Sequence, residues 1–143
     1  MSKLASEEGH FLKRLELLRG AVAFIDVAGF TTITRTLSLQ GPRGAEILQQ
    51  VMKNYFSVLI GEIHKYGGIV YQFAGDSVLV CFVALENETD EICVSRTAQC
   101  AIEIQKELSV FAKIEAMGTT FSLSAKAGLS FGEFYEVILG DET

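Results

Sequence analysis

Two acidic side chains stand in apolar surroundings. Asp26 closes the run 21–27 (AVAFIDV), which is otherwise apolar, and Asp76 lies in Ala74-Gly75-Asp76 between the apolar runs 69–73 and 77–83. A carboxylate at the end of a buried strand costs free energy unless it is paired or bound to a cation. If the hairpin around Asp76 pairs against the strand that ends at Asp26, both side chains reach one end of a sheet. Two carboxylates there, with backbone carbonyls, make a hard oxygen site suited to Mg²⁺ or Mn²⁺. Two such ions about 3.5–4 Å apart can activate an attacking oxygen and stabilise a phosphate. Directly after Asp26, the stretch Ala28-Gly29-Phe30-Thr31-Thr32 turns into a helical segment. Free N–H groups and the helix dipole favour anions at such a start. Metal carboxylates beside an anion cradle describe a nucleoside triphosphate site. Each acid taken alone is also accounted for as a turn or cap residue; the pair is more specific than either member.

The elements that must position these groups follow from periodicity. Residues 4–19 predict a short amphipathic helix, with Leu4, Phe11, Leu12, Leu15 and Leu18 roughly on one side and Gly20 suited to its end. The run 21–27 predicts a strand buried on both faces. A helix follows to about residue 38. Gly41-Pro42 opens the next, with Pro42 in its first turn. Leu48, Val51, Met52, Tyr55, Phe56, Leu59 and Ile63 keep helical spacing up to the Gly67-Gly68 pair. Two short strands, 69–73 and 77–83, are joined by the turn that carries Asp76. A further helix opens at 87–90, with Asp90 and Glu91 at its positive end and a core stripe of Cys93, Cys100, Ala101, Ile104, Leu108 and Phe111. Runs 121–129 and 131–139 read as two final strands, joined or bulged near Gly132. The order α, β, α, α, β, β, α, β, β predicts an α+β sandwich, one sheet with helices on one face.

Composition narrows the class. The 143 residues favour one domain, and 49% apolar content supports a real core. A net charge of -6, from 12 basic and 18 acidic residues, argues against a nucleic-acid surface. It leaves a nucleotide open, because bound metal offsets local negative charge. Cys81, Cys93 and Cys100 form no CxxC pair, so a disulfide framework or zinc site is not expected, and Cys93 and Cys100 read as buried thiols. The first 20 residues are too charged for a signal peptide, and no membrane span is expected. A cytoplasmic setting follows as the expectation. His10 and His64 read as surface helix residues, and Tyr66, Tyr71 and Phe73 as core or interface.

Phe24-Ile25-Asp26-Val27-Ala28-Gly29-Phe30-Thr31 resembles the first metal motif of class III adenylyl and guanylyl cyclases, and Gly67-Gly68 followed by Phe73-Ala74-Gly75-Asp76-Ser77 resembles their second. Arg43-Gly44-Ala45-Glu46 and the closing Leu139-Gly140-Asp141-Glu142-Thr143 resemble the first cyclase domain of tandem, bicarbonate-responsive soluble adenylyl cyclases. The resemblance implies a ferredoxin-like cyclase fold with a central, mostly antiparallel sheet. It divides the chain into an N-terminal helical segment, 1–20, and a partial cyclase domain, 21–143, whose C-terminal part is absent. It implies Asp26 and Asp76 as ligands to two Mg²⁺ or Mn²⁺ ions, with the carbonyl of Val27 completing one shell. Backbone N–H groups of Ala28, Gly29, Phe30 and Thr31 would hold the β- and γ-phosphates. The ribose 3′ oxygen of ATP would attack the α-phosphorus, releasing pyrophosphate and cyclic AMP, a lyase reaction.

The resemblance also implies a partner. Family sites form between two cyclase domains, the second supplying base-selecting residues and an Asn/Arg pair that lies in the later part of the domain. Gln72 stands where adenylyl cyclases carry a lysine and guanylyl cyclases tend to carry an acid, so this chain is not expected to read the base. Glu133, where some members carry a phosphate-binding arginine, would repel a triphosphate. A metal-binding half that pairs with a second cyclase domain, on the same polypeptide or in a dimer, is the expectation. The alternative is a catalytically silent, cyclase-like regulatory or dimerisation module. A different two-metal phosphotransferase is a third, weaker reading, and no diguanylate cyclase signature is present.

Overall fold

The computed structural model of the chain describes residues 11–140, and their side chains from residue 14 onward. The elements are β1 (Phe11–Ala28), α1 (Phe30–Ser38), α2 (Gly41–Lys65), β2 (Ile69–Ala74), β3 (Ser77–Val83), α3 (Asp90–Glu107), a 3-10 turn (Leu108–Ala112), β4 (Ile114–Ala116), β5 (Thr119–Phe121) and β6 (Ser124–Gly140). The main sheet has the order β2-β3-β1-β6, with every neighbouring pair antiparallel, and β4-β5 form a separate small hairpin. This is the expected α+β architecture with its ferredoxin-like, antiparallel sheet.

Strand alternation separates a helix-covered face from an open one. Ala21, Ala23, Ile25 and Val27 of β1 point into the core with Val78, Val80 and Phe82 of β3. Ile33 and Leu37 of α1, Tyr55, Leu59 and Ile63 of α2, and Cys100 and Ile104 of α3 meet them there, all essentially buried. Each fully buried aliphatic side chain contributes about 1.5–3 kcal/mol relative to exposure. Val22, Phe24 and Asp26 lie on the open face.

The helices start and stop as their residues dictate. Pro42 sits in the first turn of α2. That helix ends at Lys65, where Gly68 N–H donates to Ile63 O at 2.8 Å. Thr89 caps α3 by accepting from Ile92 N–H, with Asp90 and Glu91 in the first turn. Arg96 ties three elements together: it donates to Tyr66 O at 2.7 Å and Val83 O at 3.1 Å, and pairs with Glu88 at 3.0 Å. Cys81, Cys93 and Cys100 are all buried and free. Burial raises all three thiols, Cys100 to about 11, so they stay protonated. No helix among the described residues is long and apolar enough to cross a membrane.

The expected helix over 4–19 is corrected from residue 11 onward: β1 already runs through this segment. The rest of that prediction, with Leu4 and His10, lies outside the described residues. The physical reason is pairing at long range. β6 supplies a ladder from Phe11↔Gly140 to Ala28↔Ser124, which satisfies backbone groups that the helix would have satisfied locally. Leu15 and Leu17 are both more than half exposed, so the leucine spacing buries no helical face. Gly20 stops no helix; it lies in mid-strand opposite Gly132, level with the end of β3 at Val83. Beyond it, β1 and β6 continue as a two-stranded arm. The arm reaches back to β2, where the Tyr71 hydroxyl donates to Glu136 on the open side. The break expected near Gly132 is also absent, since β6 is one continuous strand. The β4-β5 hairpin was not foreseen.

One buried group carries a stability prediction. Tyr55 is fully buried, edge-on to Phe56 and Phe111, and its hydroxyl finds no hydrogen-bond partner among the described residues. Burial pushes its pKa up to about 12. A buried unpartnered hydroxyl costs about 1–3 kcal/mol. Tyr55→Phe should therefore raise the thermal midpoint by a few degrees. Because the folded pKa lies above the unfolded one, titration of Tyr55 leaves stability unchanged below pH 10 and lowers it as pH climbs from 10 to 12. The substitution should remove that part of the alkaline loss, as thermal unfolding against pH will show.

Candidate active site

β1 and β3 converge at one end of the sheet, and both acids lie there. Asp26 is exposed on the open face, two residues before the end of β1. The ladder sets it directly opposite Ser77 of β3 on one side and Lys126 of β6 on the other. The Ser77 hydroxyl donates to Asp26 Oδ1 at 2.9 Å. Asp76 occupies the two-residue turn of the β2-β3 hairpin, where Gly75 takes φ 64°, a left-handed conformation that glycine adopts without strain. Val27 N–H donates to Asp76 O at 3.2 Å. The turn that carries the second acid is thus stitched to the strand that carries the first.

The two carboxylates outnumber the one lysine that faces Asp26 across the ladder, Lys126. Among the described residues, no basic side chain lies within ion-pair distance of either carboxylate. Nor do three or more His, Cys, Asp or Glu gather anywhere among them. A metal held here would take Asp26, Asp76 and backbone or substrate oxygens, a hard donor set that fits Mg²⁺ or Mn²⁺.

The segment after Asp26 leads into α1. Ala28 ends β1 opposite Ser124. Gly29, with φ 93°, precedes the helix and makes no side-chain cap. Ile33 N–H makes the first helical bond, to Gly29 O at 3.2 Å. The N–H groups of Phe30, Thr31 and Thr32 precede it and have no partner within the helix. The first turn holds no acidic residue that would compete for them. Thr31, Thr32, Arg35 and Thr36 then line a shallow cleft of about 380 Å³ along α1. Backbone N–H groups, threonine hydroxyls and one guanidinium can together receive an anion.

Gln72 is exposed on β2, opposite Leu79 just past a bulge. Glu133 pairs with Arg19 on the arm, seven residues along β6 from Lys126. At about 3.3 Å per residue that is roughly 23 Å from the acids, so the expected repulsion of a triphosphate by Glu133 does not arise at this site. Sequence reasoning passed over the two neighbours of Asp26. Ser77 follows Asp76 directly, and Lys126 alternates with Ser124 and Gly128 on the strand; only the ladder register shows that both face Asp26.

No protein-family model matches the chain. Adenylate cyclase type 10 of Oryctolagus cuniculus is 28% identical over 126 residues, 87% of this chain and 8% of that protein. The Homo sapiens protein of the same name is 26% identical over 140 residues, 94% of this chain and again 8% of its own length. The chain therefore spans about one twelfth of these relatives. Among solved structures, the adenylyl cyclase CyaB from P. aeruginosa superposes with a TM-score of 0.69 at 22% identity, covering 88% of this chain and 67% of that one. The guanylate cyclase domain of RhGC from Catenaria anguillulae, solved in complex with GTP, gives 0.59 at 15% identity, covering 90% and 69%.

Proposed function

From its likeness in sequence and in fold to class III nucleotide cyclases, we propose that this chain is the metal-carrying half of a cyclase site that converts ATP to cyclic AMP and pyrophosphate when paired with a complementary cyclase domain. The observation that supports the reading is that Asp26 and Asp76 lie at one end of the sheet, where Val27 N–H donates to the backbone carbonyl of Asp76 and the Ser77 hydroxyl donates to Asp26.

In this reading the carboxylates of Asp26 and Asp76 and the carbonyl of Val27 hold two Mg²⁺ or Mn²⁺ ions. Such ions ease deprotonation of the ribose 3′ hydroxyl and neutralise charge on the phosphates. The chain's own groups hold the substrate in line. Backbone N–H groups of Ala28, Gly29, Phe30 and Thr31 receive the β- and γ-phosphates at the positive end of α1, and Lys126, beside Asp26, adds a positive charge on the same face. The 3′ oxygen forms its bond to the α-phosphorus as the bond to pyrophosphate breaks. Adenine rather than guanine rests on the similarity to adenylate cyclase type 10. Gln72 suits neither base, so the partner domain does the selecting. That same residue favours a second reading, a silent regulatory module. The retained pair of aspartates opposes it, because a scaffold has no use for two unpaired acids at one sheet end.

The test is a paired assay of Mn²⁺-dependent cyclic nucleotide formation from ATP and from GTP, by the chain alone and with a second cyclase domain added. Negligible turnover alone and measurable cyclic AMP in the mixture are expected. Full turnover by the chain alone contradicts the half-site reading. No turnover in any mixture selects the silent module.

A further inference from the structure

Ser77 occupies a singular place in this site. It is next to Asp76 in the chain and directly opposite Asp26 in the ladder, so one residue touches both acids' surroundings. It is only 8% exposed, although Asp26 beside it is open to solvent. Its hydroxyl has a single proton, and that proton is donated to Asp26 Oδ1 at 2.9 Å. Among the described residues no other side chain bonds or pairs with the Asp26 carboxylate. An aspartate carboxylate otherwise rotates broadly about its last torsion.

Resting on the metal-site reading above, we infer that Ser77 is a positioning residue for Asp26: it fixes the carboxylate by one hydrogen bond and leaves the second oxygen and the remaining lone pair free for a divalent cation. The carboxylate loses its rotational freedom during folding, so binding a cation no longer has to restrain it. The register makes this possible. The directly opposed pair brings the two side chains close on the same face, and the serine is nearly buried there. Partners of this kind raise metal affinity 10–100-fold in proteins generally. A serine merely filling a strand position has no such effect.

The experiment titrates Mn²⁺ into the intact chain, without nucleotide, and follows the electron paramagnetic resonance signal of the free ion. Thermal midpoints are measured on the same samples. Saturable binding by the native chain, lost in Asp26→Ala and in Asp76→Ala, is expected. Ser77→Ala should weaken binding 10–100-fold, and Ser77→Thr, which keeps the hydroxyl, should stay near the native value. Native affinity in Ser77→Ala overturns the assignment, whatever happens to its thermal midpoint; so does equal weakening in the alanine and threonine variants, because shape rather than the hydroxyl would then be responsible. If Asp26→Ala and Asp76→Ala bind Mn²⁺ as the native chain does, the metal-site reading itself fails, a result distinct from failure at Ser77 alone.

Discussion

Asp26→Ala, assayed with a complementary cyclase domain and saturating Mn²⁺, should form cyclic nucleotide at least about a thousandfold more slowly than the native chain. The size follows from what the side chain is asked to supply. Metal-assisted charge stabilisation at a phosphoryl centre is worth several kcal/mol, and each 1.4 kcal/mol is a factor of ten in rate. Removing one of two carboxylates halves the negative charge that concentrates divalent cations there. Asp26→Asn should fail almost as badly, since the amide oxygen still accepts from Ser77 but carries no charge. That variant separates geometry from electrostatics. Stability should barely change in Asp26→Asn. Asp26 is exposed and no basic side chain among the described residues lies within ion-pair distance of it, and substitutions at such positions usually fall within about 0.5 kcal/mol. Asp26→Ala, by contrast, also leaves the nearly buried Ser77 hydroxyl without its acceptor, at a cost of about 1–3 kcal/mol. The signature to measure is a collapsed kcat with an unmoved thermal midpoint in Asp26→Asn. Turnover within tenfold of native would remove Asp26 from the metal site.

The readable and unreadable parts of this chain divide along the range of the forces involved. α2 was legible because its signals are local: Pro42 in the first turn, a core stripe from Leu48 to Ile63 and a glycine pair at the end. The Asp76 turn was legible for the same reason, as Gly75 and Asp76 sit between two β-rich runs. Asp26 stood out because the run around it is so apolar; the expectation of burial on both faces is corrected, since helices cover only one face of the sheet and Phe24 and Asp26 are exposed on the other. The segment 11–19 misled because its leucines satisfy helical spacing as well as strand spacing. What decided the outcome was the partner strand more than a hundred residues away, which no local window contains. β6 reads as two strands because Gly132 looks like a break; facing Gly20 across the ladder, it is merely a place where two backbones pass without side chains. Ser77 and Lys126 were overlooked for a related reason. Their importance lies in register, and register is fixed only when a whole sheet assembles.

Gly29 is where fold and site depend on one atom that is not there. Its φ of 93° is a conformation L side chains rarely adopt, and a Cβ built on it would lie 2.1 Å from the carbonyl oxygen of Ser122. That oxygen cannot retreat cheaply. The next residue, Leu123, is 1% exposed in the core, and its N–H is held by Phe111 O at 2.8 Å. In Gly29→Ala, either the start of α1 lifts away from the sheet or Leu123 is dragged from its packing. Strained backbone costs about 1–3 kcal/mol and an overpacked core about 1–3 more. The expected loss is about 3 kcal/mol or greater, a fall of roughly 10 °C in thermal midpoint for a chain of this size. Function should suffer separately. The N–H groups of Phe30 and Thr31 lead directly from this residue, and a shift of about 1 Å in a positioning element can reduce turnover 100-fold. Gly29→Ala should therefore lose stability and turnover together and raise the KM for the nucleotide, whereas Asp26→Asn loses turnover alone. A Gly29→Ala chain that melts within a degree or two of native and keeps its KM would show that the turn into α1 neither braces the fold nor cradles phosphate.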